Sequence, residues 1–265
     1  MKAICKIENS EYSKKLREIE NLEFDNIIQI SKEYVANHIE DEKKIHNSLN
    51  RGTKVLEDEE ELYQYIKSFS TIHKEKLEYS FFELFKKNNK VTMNIIDWGC
   101  GQAFATCVLM DYIKYSELKF TISDVILIEP SEPALNRALL HVDVLKENEI
   151  NIKAINKDLD NLKESDLVFK NNNTTLHLFS NILDIESFNL DKLLKNISTS
   201  QSDLNYFICI SPNIDIVHNN RLDRFYNYFR ERFNTKLISK RNSDIDIYND
   251  SRAITRYEII FKAKI

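Results

Sequence analysis

The residues best suited to chemistry lie in Ile95-Ile96-Asp97-Trp98-Gly99-Cys100-Gly101-Gln102-Ala103-Phe104-Ala105-Thr106. The stretch reads as an apolar strand ending in an acid, a tight glycine turn, and the start of a helix. Glycine belongs where a ligand must come close to bare backbone, and the helix start beyond it offers unpaired N–H groups. The chain has only three glycines, and Gly99 and Gly101 are two of them; of its three prolines, Pro130 and Pro133 flank a second acid-ended segment around Glu129. A dinucleotide fingerprint would need a third glycine where Phe104 stands, so that reading fails.

The elements around these residues follow a regular rhythm. Short apolar runs at Met93 to Trp98, Val125 to Glu129, Ile150 to Ile155, Thr174 to Phe179 and Asn205 to Ile210 alternate with helical patterns at 103–115, 132–147, 188–197 and 220–233. Ala253 to Lys264 suits a final strand. Such alternation predicts an α/β fold, a parallel sheet with helices on both faces. Before residue 91 the pattern is helical: Ile27, Ile30, Tyr34 and Val35 recur at helical spacing, as do Leu62, Tyr65, Phe69, Ile72, Leu77 and Phe81. The acidic run Glu57 to Glu61 reads as a helix start, since negative charge complements the dipole there. Asn50-Arg51-Gly52-Thr53 breaks the two helical blocks.

Composition narrows the function classes. Scarce glycine and proline argue against collagen-like, disordered and many-hairpin architectures. Cys5, Cys100, Cys107 and Cys209 lack C-x-x-C spacing, and the six histidines form no ligand motif, so no metal site is expected. The charged start of the chain and the want of a long apolar stretch predict a cytoplasmic protein without a membrane span. The net charge of −5 is unevenly spread: residues 219–265 carry 11 basic and 6 acidic groups, whereas 91–218 carry 10 and 18. A basic surface of that kind attracts phosphates.

From 91 to 265 the chain resembles the class I S-adenosylmethionine-dependent methyltransferases, in a bacterial-type branch with a helical amino-terminal region. The resemblance is carried by the acid-glycine turn at Asp97, Gly99, Cys100, Gly101 and Gln102, and by Asp124-Val125-Ile126-Leu127-Ile128-Glu129-Pro130-Ser131 in the expected order. It implies a Rossmann-like, seven-stranded, mostly parallel sheet, with S-adenosyl-L-methionine as cofactor. It further implies that Glu129 takes the two ribose hydroxyls, that Pro130 and Ser131 lie beside the adenine, and that Asp158, next to Leu159, holds the adenine amino group. Phe179 and Ser180, ending the fourth strand, would complete the cofactor pocket. Ser131 is also placed to cap the helix that follows. The sequence departs from the pattern at Ala103, where the motif's third small residue is usually glycine. Phe179-Ser180-Asn181-Ile182 lacks the Asn/Asp-Pro-Pro-Tyr/Phe of exocyclic base amine enzymes, and Ser211-Pro212-Asn213 lacks a Pro-Cys nucleophile.

Methyl transfer is an in-line displacement, so a base is needed only when the acceptor must lose a proton. Asn181 could orient an acceptor and Asp184 could take a proton; polar capping of the loop is the alternative for both. Tyr65, His73, Lys76 and Arg51 are polar groups of a helical region, 1–90, that could form a lid over the methyltransferase domain, 91–265. A histidine in a lysine- and glutamate-rich helix is ordinarily solvated, and that is the expectation for His73. The basic 221–241 region interleaves arginines with aromatics, as RNA-binding surfaces do, yet Leu222, Phe225, Phe229 and Phe233 fall on one helical face and predict core packing. The expected function is a methyltransferase, with RNA ahead of protein or small-molecule acceptors. The rival, from another class, is a non-catalytic methyltransferase-like subunit.

Overall fold

The computed structural model describes residues 7–86, 90–116, 119–213, 216–246 and 253–265; Cys5 and the charged start of the chain lie outside them. Four helices come first: α1 (Glu11–Glu18), α2 (Phe24–His38), α3 (Glu42–Ser48) and α4 (Glu59–Phe85). The acidic run before α4 acts as expected, with Asp58 accepting a hydrogen bond from the Glu61 amide and three glutamates in the first turn. Seven strands follow: β1 (Lys90–Trp98), β2 (Lys119–Ile128), β3 (Asn151–Ile155), β4 (Thr174–Ser180), β5 (Leu204–Ser211), β6 (Asn234–Asp246) and β7 (Ala253–Lys264). The helices between them are α5 (Phe104–Tyr115), α6 (Glu132–Leu145), α7 (Leu190–Ser200) and α8 (Ile216–Arg232). Ser131 caps α6 through the Ala134 amide.

The strands form one sheet in the order β3-β2-β1-β4-β5-β7-β6, parallel except for β7, which runs antiparallel to both neighbours. Alternate residues of each strand face opposite layers. Ile95, Val125, Leu127, Leu178 and Ile208 join a core with the amino-terminal helices, α5 and α6. Ile96, Ile126, Phe207 and Phe261 join a second core under α7 and α8. The amino-terminal helices therefore bury their apolar faces in the same core as the sheet.

Two strands differ from expectation. β2 begins at Lys119, six residues before Val125; Lys119 to Ser123 alternates polar and apolar residues, the pattern of a half-buried strand, and only the continuous apolar run beyond it was expected. β6 was not expected at all. It is an edge strand rich in charged and polar residues, held by its ladder to β7, and an edge of that composition resists further pairing. The expected core face of α8 is present, with Leu222, Phe225 and Phe229 fully buried.

One buried polar chain ties three strands together. The Trp98 indole donates to His177 Nδ1 at 3.2 Å, and His177 Nε2 faces Asn205 Oδ1 at 3.1 Å. Nδ1 must accept, so Nε2 carries the proton and donates to Asn205. A second proton on the ring would set two N–H groups against each other, and burial already pushes the imidazole down to about 4. His177 thus contributes stability that is complete above the unfolded value of 6.5 and is lost as pH falls from there toward 4. In a pH titration followed by nuclear magnetic resonance, the His177 ring and the Trp98 indole N–H signals are expected to stay constant from pH 8 to about 5. A His177 midpoint near its ordinary value of about 6.5 would contradict the assigned tautomer.

Candidate functional site

The glycine turn is built from three left-handed residues. Gly99 has φ +59°, Gly101 φ +53° and Ala103 φ +63°. Ala103 pays the steric cost of that conformation, on the order of 1 kcal/mol, while remaining fully buried. The turn is pinned by the Cys100 amide donating to Ile128 O at 2.9 Å and the Ala103 amide donating to Cys100 O at 2.7 Å. A Cβ at Gly99 would come within 2.6 Å of Ile182 Cδ1, whereas one at Gly101 would meet nothing within 4 Å. Gly101 is thus where backbone lies bare toward open space.

Two carboxylates hold the turn. Glu129 accepts from the Gly101 amide and the Ser131 amide, each at 2.9 Å and each on a different oxygen. Asp97 accepts from the amide and hydroxyl of Thr106 through one oxygen, at 3.2 and 2.7 Å. Both acids are buried, and desolvation pushes each up to about 7, with repulsion from Glu129 adding to the effect on Asp97. Asn156 adds a brace that its sequence gave no reason to expect: its side-chain amide donates to the carbonyls of Glu129 and Pro130 at 3.1 and 2.8 Å.

Helix α4 starts beside the carboxyl ends of β1 and β2 and runs across the sheet, touching one element after another. Just before it, Leu56 O accepts from the Ser131 hydroxyl at 2.5 Å. In its first turn, Leu62 O accepts from the Gln102 side chain at 3.0 Å. Farther along, Lys76 Nζ donates to Asn181 Oδ1 at 3.5 Å beyond β4, Ser80 donates to Glu258 of β7, and Glu83 pairs with Arg241 of β6 at 3.0 Å. Tyr65, His73, Lys76, Ser80 and Glu83 lie on one stripe of the helix, because their spacings fall near multiples of its repeat.

Tyr65 and His73 form one wall of a cavity whose other wall is Asp97, the glycine turn and Ser180. The solvated position expected for His73 is therefore incorrect. Its ring packs 6.0 Å from Phe104, and burial together with the Lys76 charge pushes the imidazole down to about 3. A Cβ added to the third glycine, Gly52 at φ +88°, would meet the Tyr65 ring at 3.6 Å, so the break between the helical blocks backs this wall. The space left between the walls is about 20 Å³, room for one water.

The structure gathers most of the expected residues here, though not all. Gly99, Cys100, Gly101, Gln102 and Ser180 line the cavity beside Asp97, and Glu129 and Ser131 brace it. Pro130 is exposed beside them. Phe179 points to the opposite face of the sheet, stacked on Trp98 with centroids 5.3 Å apart. Asp158 is exposed, its two oxygens taken by the Asn161 amide and side chain at 2.9 and 2.7 Å, where it caps a short turn; Leu159 is buried in the second core. Asn181 adopts φ +57°, its amide donating to Ile210 O at 2.7 Å, and Asp184 accepts from Ser211 Oγ at 2.7 Å. Lys76, 3 % exposed, completes this group beside the cavity. Burial, with Arg256 adding to it and Asp184 opposing, pushes its amine down to about 8.

Several charges of the 221–241 region are engaged within the fold. Arg221 donates to Leu183 O and Phe188 O, Arg224 pairs with Asp191, and Lys240 pairs with Asp223. Among the described residues no group of histidine, cysteine and acidic side chains is placed to hold a metal ion, and no helix is long and apolar enough to cross a membrane.

No family model matches the chain, and no curated protein matches it in sequence. Solved structures match it in fold. The plantazolicin methyltransferase BamL, in complex with a triazolic desmethylPZN analog and SAH, is similar with a TM-score of 0.51 at 11% identity, over 91% of this chain and 99% of that one. A SAM-dependent methyltransferase from Leishmania major gives 0.48 at 11% identity, over 83% and 82%. The fold is that of the class I S-adenosylmethionine-dependent methyltransferases, with a helical amino-terminal region added.

The two glycines of the turn are expected to separate stability from ligand access. Gly101→Ala meets only the left-handed penalty, about 1 kcal/mol. Gly99→Ala adds the displacement of Ile182, roughly 1–3 kcal/mol more. Urea unfolding of the two variants measures this directly. Equal losses would contradict the packing described.

Proposed function

We propose that this protein binds S-adenosylmethionine at the turn between β1 and α5 and transfers its methyl group to a small acceptor held under α4. The observation that carries the reading is the bare backbone at Gly101, bonded through its amide to the buried carboxylate of Glu129. Each Glu129 oxygen has accepted one N–H, and a carboxylate oxygen has a second lone pair to offer a ribose hydroxyl. The residues therefore fit the nucleoside. When bound, the cofactor would supply a methyl group activated by a sulfonium.

Gly99 and Gly101 would admit the cofactor to the backbone, with Asp97 fixing the turn through Thr106 and Glu129 orienting the ribose. Ser180 and Asn181 would face the methyl group from the end of β4. Asp158 is given no part in holding the adenine, since it stands exposed outside the cavity lining, where it caps a turn through Asn161. Tyr65 and His73 would close over the site and exclude water, which strengthens each polar contact inside. A small acceptor is favoured over RNA because Arg221, Arg224 and Lys240 already have partners, leaving fewer charges in 221–241 for phosphates.

The narrowness of the cavity and the left-handed Ala103 support a second reading, a methyltransferase-like subunit without turnover. Tritiated-methyl transfer into RNA, protein and metabolite fractions separates the two, because cofactor binding without labelled product favours the subunit.

Calorimetry with S-adenosylmethionine and S-adenosylhomocysteine tests the first step. Glu129→Ala is expected to weaken both by roughly tenfold or more, the worth of hydrogen bonds to a charged acceptor. Wild-type affinity is expected to rise as pH passes upward through about 7, because the ionised carboxylate is the stronger acceptor. Failure of the wild type to bind, or binding indifferent to Glu129→Ala, rejects the cofactor assignment.

A further inference from the structure

We infer that Lys76 takes the proton an acceptor must lose, and that the atom methylated is an amine nitrogen; this deepens, and rests on, the methyltransferase reading above. Lys76 lies one turn along α4 from His73, which lines the cavity, and its Nζ reaches Asn181 next to Ser180 on the opposite wall. Asn181 is held in place by its own amide on Ile210 O and by its side-chain N–H donating to Ser180 Oγ at 3.2 Å. It presents Oδ1 to Lys76.

That carbonyl, at 3.5 Å, is the single hydrogen-bond partner of Lys76 Nζ among the described residues. An ammonium has three N–H groups to satisfy, and the side chain is almost wholly buried, so its charged form is poorly solvated. The charged groups around it come from every side. Asp184 after β4 favours the ammonium and Arg256 of β7 disfavours it. Glu258 of β7 is engaged by Ser80 and Arg256, Arg241 of β6 by Glu83, and His73 on the same helix is neutral. Burial prevails and holds the Lys76 amine at about 8, where the neutral form is accessible near physiological pH.

The chemistry balances without any further reagent. Neutral Lys76 takes a proton from the acceptor's ammonium, leaving a free amine lone pair. That pair forms the new N–CH₃ bond as the S–CH₃ bond breaks, and the bonding electrons go to sulfur, which departs as a neutral thioether. The product is a methylammonium, and Lys76 returns its proton to solvent. An amine acceptor suits this base because efficient transfer needs donor and acceptor of similar proton affinity. An alcohol holds its proton too tightly, and a carboxylate has none to lose.

The test uses the full chain with tritiated-methyl S-adenosylmethionine and a panel of small primary amines, matched with the corresponding alcohols and carboxylic acids. Label is expected in amines, with kcat/KM rising with pH to a plateau and a midpoint near 8. Lys76→Met and Lys76→Arg are both expected to lose roughly 100-fold or more in kcat, with cofactor affinity within about twofold by calorimetry. Arginine keeps the charge and cannot give it up, so activity of Lys76→Arg near wild type would overturn the proposal. So would a flat pH profile, label in alcohols or acids instead of amines, or no labelled amine from a protein that binds the cofactor. Should Lys76→Met fail to fold, the wild-type pH profile still decides. A wild type that does not bind S-adenosylmethionine rejects the methyltransferase reading itself, a separate result.

Discussion

Everything in the candidate site depends on how α4 lies across the sheet. One face of this helix is apolar and shares a core with α2 and α5; the adjoining stripe is polar and would be costly to bury without partners. The sheet supplies such partners at Asn181, Glu258 and Arg241, while Ser131 after β2 and Gln102 after β1 bond the Leu56 and Leu62 carbonyls at the start of the helix. The helix is thereby bonded to the glycine turn and is an integral wall of the site. The same arrangement explains why the cavity is narrow, since the bonds that align α4 also draw it against the turn.

Burial beneath α4 gives the site its electrostatic character. Asp97 and Glu129 are pushed up, His73 and Lys76 are pushed down, and in each case desolvation is the largest cause. All four shifts move toward the neutral form. With Asp97 and Glu129 held at about 7 and Lys76 at about 8, small changes in solvation change which of these groups are ionised. Behind it lies a buried network. His141 donates from Nδ1 to the Gln102 carbonyl at 2.9 Å and accepts the Tyr12 hydroxyl at Nε2 at 2.7 Å, and Arg137 lies between the Tyr12 and Tyr63 rings while paired with Glu8. Helix α1 is thus also joined to the turn.

Much of the fold was legible in the sequence because it was written locally. The acid-glycine turn, the Ser131 cap, the Asp58 helix start and the apolar runs of β1, β4 and β5 each need only neighbouring residues to be recognised. The edge strand β6 was not, because its residues are polar and its order comes from pairing with β7. The role of α4 was harder still. On a helix rich in lysine and glutamate, His73 and Lys76 look like solvated positions, and their partners stand 31 and 105 residues away, at Phe104 and Asn181. Asp158 stands apart from these: an acid after β3 suggested a ligand contact, and in the fold it is exposed outside the cavity lining, each oxygen holding one N–H of Asn161. Gly52 was informative, since it backs Tyr65 in the cavity wall.

Amide hydrogen exchange with and without S-adenosylmethionine tests the central claim most directly, that α4 and the glycine turn form one site. Added cofactor is expected to slow exchange together in 97–106, in 129–131 and in α4 from Leu62 to Lys76, since these segments are bonded to one another. Protection confined to the turn and the Glu129 loop, with α4 unchanged, would contradict the account.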